Sequence, residues 1–549
     1  MTDRAKVRLT ALLVGLWAAL CFLPGIGRVP LFDRDETRFG EAAREMLVRQ
    51  DYVVSYFNDE YRLHKPALIY WVMGAAYEVF GVNEFAARLG SALAGVGTCL
   101  LVFWLARRMF GLFPAALAGV VMATNLQHVA IARAATADSV QLLFVMVCFA
   151  QLWRIYTGDR RWDAYVLLYG GIALGTLTKG PVVAGVVLLA VAGIMLMDRS
   201  WELLRRLHLV MGLVAAVLVV ALWFFPANAR THGAVVSEML GHQMMGPAFG
   251  ETFEGHGGWF VYYVVLLPVS FFPWIAVLPL AVWRTWTAPD ARKARTFLIA
   301  WAVAPFLVFS FLKTKLPHYT LPGYPALAIM VGFALEEAIR QRRAILGHWT
   351  GKVGLGLFAL VGLGAAAAFC IYPFVFALKD HAAGFVSLAL LLLTMMVLAL
   401  LDLRRARNAL LAADLAVGAT ILALVVWLGL LPAIGAIMAP GQMKAGLARV
   451  LRPGDQVLSL KYSEPSVVFY AQRHVDFVKS WQQVGEKLSA TRKFICIAES
   501  DQLPQMPPEL SQEMNVVGNA SAFRLGSGKW QAFSFLRPRP VGGPPAAPN

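Results

Sequence analysis

About thirteen apolar runs, most of them near the twenty residues a helix needs to cross a bilayer, are joined by loops of which every second one is short. A membrane-embedded helical bundle satisfies that pattern, because backbone polar groups in lipid must be paired within their own segment. The runs are residues 9–24, 85–106, 113–130, 139–153, 164–178, 182–197, 207–225, 259–282, 297–312, 322–334, 353–378, 384–403 and 410–431. Composition agrees: of 549 residues 58% are hydrophobic and only 15% charged, with mean hydropathy +0.61. Soluble domains carry about 25% charged residues. Alternate loops hold basic pairs such as Arg107-Arg108, Arg160-Arg161, Arg205-Arg206, Arg342-Arg343 and Arg404-Arg405, which assigns them to the cytoplasm. That bias accounts for the net charge of +16 and a pI near 9.8 without invoking nucleic acid. The register places the N-terminus inside and, with an odd number of crossings, the C-terminus outside. Arg4, Lys6 and Arg8 ahead of the first run give it the shape of a signal peptide. No small-x-small cleavage site follows Leu23, so it is read as an uncleaved span.

The first outside loop, residues 25–84, is the most unusual stretch. Asp33, Arg34, Asp35, Glu36 and Arg38 put five charges in six residues. A charge at mid-bilayer costs about 2.5–3.5 kcal/mol or more, so this segment must lie outside the hydrocarbon. From Phe39 onward the spacing predicts an amphipathic helix. Phe39, Ala42, Ala43, Met46 and Leu47 form one face, with Arg38, Glu41, Arg44 and Glu45 on the other. The expectation is a helix lying on the membrane surface. Residues 66–81 are apolar but too short to cross, which suits an interfacial or re-entrant helix begun by Pro66.

Residues 440–549 change character. Segments 456–460, 475–478 and 494–498 read as short buried strands, with helices at 464–472 and 481–488 between them. Such alternation predicts a small α/β domain, separate from a transmembrane domain over 1–439. The Pro-rich end from Arg537 reads as disordered. The tail holds no Gly-rich phosphate loop, and its default reading is a structural or acceptor-recruiting cap. The five cysteines show no metal-ligand spacing and no disulfide framework.

The outside face collects nearly all the remaining polar residues: His64, Lys65, Arg133, Asp138, Lys179, His232, His242, Glu251, His256, Lys313, Lys315, His318 and Tyr319. Basic residues are unexpected on that side. Taken singly, each lysine is a snorkelling helix end. Taken together, with Lys179 and Lys315 next to or near prolines at span ends, they point to a bound anion such as a lipid phosphate. Carboxylates and cations at one membrane face fit group transfer from a phospholipid-type carrier, or an ion-coupled transporter. Transporters place charges near mid-membrane and show internal repeats. The apolar runs here are nearly free of charge and no repeat is visible, which favours catalysis at the interface.

The set Asp35-Glu-Thr-Arg38, Lys65-Pro66, Thr136-Ala-Asp138, Thr178-Lys-Gly-Pro181 and Lys313-Thr-Lys-Leu-Pro-His-Tyr319 resembles the GT-C glycosyltransferases that use polyprenyl-phosphate sugars. Within that group it looks most like the aminoarabinose transferases of lipid A. The resemblance spans the whole chain. One departure is His64, where those relatives often carry Glu before Lys-Pro. The resemblance implies an all-α polytopic GT-C fold of about thirteen transmembrane helices with periplasmic juxtamembrane helices, followed by the periplasmic α/β domain. It implies transfer of 4-amino-4-deoxy-L-arabinose from undecaprenyl phosphate to a lipid A phosphate, outside a Gram-negative inner membrane, with resistance to polymyxin and other cationic peptides. A monomer is expected, in contact with membrane lipids and the two lipid substrates.

Chemistry then assigns roles. The leaving phosphate gains charge as the glycosidic bond breaks, so preplaced cations lower the barrier. Arg38 and Lys65 are the first choices, followed by Lys179, Lys313 and Lys315, with His318 and Tyr319 completing the phosphate-binding set. Asp35, Glu36 and Asp138 are the candidate catalytic carboxylates. An acceptor phosphate is largely ionised at neutral pH and hardly needs a base, whereas a hydroxyl acceptor does. Asp35 is therefore either a base for a hydroxyl acceptor or, with Asp138, a group that orients the donor and stabilises oxocarbenium-like charge. A monophosphate leaving group requires no metal cofactor. His64, His242 and His256 are nevertheless candidate ligands for a structural zinc ion. The rival readings are a mannosyl- or arabinosyltransferase with a hydroxyl acceptor, and a lipid-linked sugar flippase.

Overall fold

In a computed structural model, residues 2–239, 241, 257–376, 378–524 and 528–540 are described. The helices that matter for the site are α1 (Asp3–Phe22), α2 (Asp35–Arg49), α3 (Leu68–Phe80), α4 (Glu84–Phe110), α5 (Leu112–Thr124), α6 (Leu126–Ala132), α7 (Ala137–Tyr156), α8 (Trp162–Lys179) and α9 (Val182–Asp198). All thirteen apolar runs are at least partly helical. Among the described residues, however, eight helices are long and apolar enough to cross a membrane, or nine if the bent pair α5–α6 is one span. That suffices for a multi-pass membrane protein. The shortfall against thirteen has local causes. Helix α9 and the Tyr324–Arg340 helix have only 17 residues each. The run at 259–282 is broken between Tyr262–Ser270 and Leu278–Thr287. The 64° bend between α5 and α6 sits at Asn125, which leaves the helical region and accepts a hydrogen bond from the His128 amide at 3.0 Å.

The bundle core is aromatic at its centre. Phe149 of α7 stacks on Trp301 at 4.1 Å between centroids, and the Trp301 indole donates to the Pro322 carbonyl at 2.8 Å. That bond ties the Arg292–Phe311 helix to the Pro317–Gly323 turn that follows it.

Helix α2 departs from expectation. It starts at Asp35 and is buried on its charged side as well as its apolar one. Glu41 and Arg44, expected to face water, are buried together and paired at 2.6 and 2.9 Å. Burial pushes the Glu41 carboxyl up to about 7. Glu45 accepts from the amides of Asn58 and Asp59 in the turn between strands β1 (Tyr56–Phe57) and β2 (Glu60–Tyr61). The reason is tertiary: α2 lies between α3 and the Pro465–Ala471 helix of the tail. At Gly40 an added Cβ would lie 3.0 Å from both Phe469 and the Tyr77 hydroxyl, so any larger residue would require those side chains to give way. The helix predicted over 66–81 is present as α3, 13 residues long, and begins at Leu68 rather than at Pro66.

The tail forms a five-stranded sheet in the order β4-β3-β5-β7-β6. Strands β3 (Gln456–Leu460), β4 (Val475–Val478) and β5 (Phe494–Glu499) match the expected ones and pair in parallel. The antiparallel pair β6 (Met514–Arg524) and β7 (Lys529–Pro538) has no counterpart in the sequence reading. Arg537, expected to begin a disordered end, lies in β7 and pairs with Asp455 at 2.7 Å; residues 541–549 lie outside the described residues. The tail is clamped to the first loop. Asp33 accepts from the Ser466 amide and hydroxyl, both at 2.8 Å. The Tyr470 hydroxyl accepts from the Leu31 amide at 2.9 Å and donates to Glu84 at 3.1 Å.

Candidate active site

Three separate pieces of chain meet at one cavity because of how their helices end. Asp138 sits in the first turn of α7, where the helix dipole favours an anion. Lys179 is the last residue of α8, where it favours a cation. Gly180, at φ +90°, ends α8, and Pro181 starts the return into α9, so the lysine is held at the turn. The α7–α8 hairpin is antiparallel and brings those two ends together. Lys179 donates a short hydrogen bond to Asp138, and His318 from the Pro317–Gly323 turn places Nε2 3.3 Å from the same carboxylate. The Lys179 ammonium also lies 5.3 Å from the centre of the Tyr319 ring.

This cluster walls one end of a cavity of about 570 Å³. Lys65, His64, His318 and Tyr319 complete the polar end. Gln141 and Thr176 add two neutral polar side chains, and the remaining walls are apolar, including Leu142, Leu177, Val220, Trp223, Phe224 and Val308. Burial, then the nearby Lys179 charge, holds the Lys65 ammonium down at about 8. Burial lowers His318 from its ordinary value, with the Asp138 charge opposing, and raises the Tyr319 phenol. His64 is lowered by burial and by Arg62.

Asp35 stands at the start of α2, exposed, with no hydrogen bond or ion pair among the described residues. Its charge still acts on Lys65, Lys179, His318 and Tyr319. Arg38, one turn on, registers electrostatically on His64.

Other sequence candidates go elsewhere. Glu36, taken as a catalytic carboxylate, is buried and fully engaged. It receives two hydrogen bonds from Arg88, at 2.8 and 2.6 Å, one from the Phe32 amide and one from the Ala135 amide. A carboxylate with those four donors has no free lone pair for substrate, and its work is structural. Lys315, taken as a phosphate ligand, buries its ammonium on the carbonyls of Phe309, Ser310 and Leu312, at 3.2, 2.9 and 2.7 Å. It caps the end of the Arg292–Phe311 helix, and all three of its protons are spent there. Lys313 is exposed and outside the cavity lining. Arg133 donates to the carbonyls of Cys21 and Pro24, closing the end of α1. For the candidate zinc site, His242 and His256 lie outside the described residues. His64 has Glu238 at 3.7 Å, and no group of three potential metal ligands occurs among the described residues.

Arg88 was missed by sequence reasoning. It sits inside an apolar run and was absorbed into a span, yet an arginine there is itself a signal that a buried carboxylate waits for it.

Residues 64–224, which contain Lys65, Asp138 and Lys179, match the family model described as dolichyl-phosphate-mannose-protein mannosyltransferase. The chain is 30% identical over 357 residues to the undecaprenyl phosphate-alpha-4-amino-4-deoxy-L-arabinose arabinosyl transferase of Edwardsiella ictaluri, covering 64% of this chain and 63% of that one. It is 32% identical over 380 residues to the protein of the same name from Pectobacterium atrosepticum, covering 66% of each. These alignments thus span slightly under two thirds of the relatives' length. Over nearly the whole chain the fold is that of ArnT from Cupriavidus metallidurans in its undecaprenyl phosphate-bound crystal structure: TM-score 0.76, 22% identity, 97% of this chain and 98% of that one.

Fold and cavity together define a polytopic membrane protein of the GT-C type with a small α/β tail. Within that class, the resemblance drawn from Asp35-Glu-Thr-Arg38 and Lys-Leu-Pro-His-Tyr319 to the aminoarabinose transferases is borne out by these relatives.

Proposed function

We propose that this protein transfers 4-amino-4-deoxy-L-arabinose from undecaprenyl phosphate to a phosphate of lipid A, at the periplasmic face of a Gram-negative inner membrane. The observation that carries the reading is the cavity itself: cations at one end, apolar walls along the rest. A polyprenyl phosphate has the same two-part chemistry, an anionic head on a hydrocarbon chain.

In the transfer, an oxygen of the acceptor phosphate attacks the anomeric carbon while the bond to the donor phosphate oxygen breaks. The electron pair leaves with the phosphate. Lys65 and Lys179 meet the growing charge, in a buried site where each such interaction is worth more than in water. Asp138 is a positioning residue in this scheme, because its carboxylate is occupied in holding Lys179 and His318. Asp35 remains the free carboxylate and takes the sugar's ammonium or the positive charge developing at the anomeric centre. Arg38 supports the phosphate end from α2. The reaction so written uses no cofactor. Masking a lipid A phosphate in this way lowers affinity for cationic peptides.

The unpaired Asp35 also suits a base for a hydroxyl acceptor, which is the alternative the test must separate. Mass spectrometry of lipid A from cells with and without the protein decides: gain of one aminoarabinose per phosphate supports the assignment. Unchanged lipid A beside a newly glycosylated protein or glycan overturns the acceptor.

A further inference from the structure

We propose that Gln141 is the residue that reads the sugar of the donor lipid. This rests on the donor-lipid reading above and deepens it. Gln141 is one turn beyond Asp138 on α7, so the two side chains share a face of the helix. It lines the cavity and is only 5% exposed. Its side-chain nitrogen is buried without a hydrogen-bond partner among the described residues. Among the described residues no hydrogen bond engages its carbonyl oxygen, which is not fully buried. A buried amide nitrogen left in that state is costly, unless a ligand completes it.

The chemistry of the amide selects the ligand. A primary amide offers two donors and an acceptor. A donor phosphate, esterified on two sides and ionised, has only acceptors, so it pairs with the amide nitrogen and repels the oxygen. The cations for that phosphate are in any case at Lys65 and Lys179. The prenyl chain has neither donors nor acceptors and belongs along the apolar walls. A sugar hydroxyl or ammonium supplies the donor that the amide oxygen lacks, and a hydroxyl accepts from the nitrogen as well. With about 4.5 Å of helix rise between Asp138 and Gln141, a pyranose joined to a phosphate at the lysines reaches the amide. A site built to hydrogen-bond a substrate hydroxyl discriminates strongly against a ligand without it, because its own buried groups are then left unpaired.

The test compares two lipids on the full-length protein in lipid nanodiscs: undecaprenyl phosphate, and undecaprenyl phosphate carrying aminoarabinose. The variants are Q141L, which removes both hydrogen-bonding ends at similar volume, and Q141N, which keeps the amide on a shorter stem. We expect Q141L to lose about tenfold or more in affinity for the sugar-bearing lipid, with affinity for undecaprenyl phosphate unchanged. Retained binding of undecaprenyl phosphate also reports that the variant is folded. Q141N should lose less than Q141L. Equal losses on both lipids would make Gln141 a phosphate or packing residue and overturn the proposal, as would no loss on either. If the wild-type protein binds neither lipid, the donor-lipid reading falls first and Gln141 with it.

Discussion

Arg88 and Glu36, 52 residues apart in the chain, form a two-pronged ion pair at 2.8 and 2.6 Å with almost no exposure on either side. The remaining Arg88 protons go to the carbonyls of Ile26, Val29 and Pro30, at 2.7, 2.6 and 2.9 Å. One guanidinium therefore fixes the start of the first loop and the base of α2 together, and thereby the place where Asp35 emerges. Removing one partner of such a buried pair costs about 3–5 kcal/mol. Arg88→Met should accordingly lower the yield of folded protein and its unfolding temperature, read by fluorescence-detected melting in detergent. Near-native melting would show that the pair is dispensable for the fold.

Asp35 should behave in the opposite way. With no hydrogen bond or ion pair to lose among the described residues, Asp35→Asn should change stability by no more than about 0.5 kcal/mol. Turnover should fall at least about a hundredfold, the lower end of what a positioned acid–base or charge-stabilising group supplies. Wild-type rates in Asp35→Asn would remove it from the mechanism.

Lys179 and Asp138 are expected to fail together. Lys179→Ala removes a preplaced cation at the leaving group and should cost about 10²–10³ in kcat. Asp138→Asn should cost a comparable amount without touching substrate, because Lys179 and His318 lose their common anchor. The double variant should then be little worse than either single one. Additive losses in steady-state assays would separate the two roles.

The Lys65 ammonium, held down at about 8 by burial and by Lys179, gives binding a pH dependence. Only its protonated form attracts phosphate. Affinity for undecaprenyl phosphate should therefore be full below that value and fall as pH rises through it. An unmodified lysine, near 10.4, would show no change in that window. Lys65→Met should abolish this pH dependence; its persistence would point to another group.

Asp33 predicts a stability effect. Burial pushes its carboxyl up to about 6, against an unfolded value near 3.8, despite the Ser466 hydrogen bonds. A raised carboxyl is stabilising when protonated, so its contribution is full below pH 3.8 and is lost as pH rises through about 6. Asp33→Asn keeps an acceptor for Ser466 and should flatten that part of the stability profile. An unchanged profile in chemical denaturation from pH 4 to 7 would assign the dependence elsewhere.

The sequence by itself determined the class of molecule. Apolar runs of bilayer length, punctuated by basic pairs, admit little besides a helical bundle, and alternating short strands and helices mark the tail as α/β. It also singled out Lys65, Lys179, His318 and Tyr319, which line one cavity, because charged and aromatic groups near Pro and Gly at helix ends stand out in one dimension; Asp138 stood out as a lone charge between apolar runs. The strand pair β6–β7 escaped it: most of β6 is exposed or half-buried, so β7, with the buried run Phe533–Leu536, has no legible partner in one dimension. What only the tertiary structure decided was which charges are free. Asp35 and Glu36 are neighbours of the same type, yet Glu36 is caged by Arg88 and by the Ala135 amide 99 residues away. Lys179 ends one helix and Lys315 follows another, yet the first turns to a carboxylate in a cavity and the second folds back on carbonyls. Periodicity records which way a side chain points from its own helix. Whether it meets a partner there depends on segments far along the chain, and for a buried charge that meeting is worth several kcal/mol.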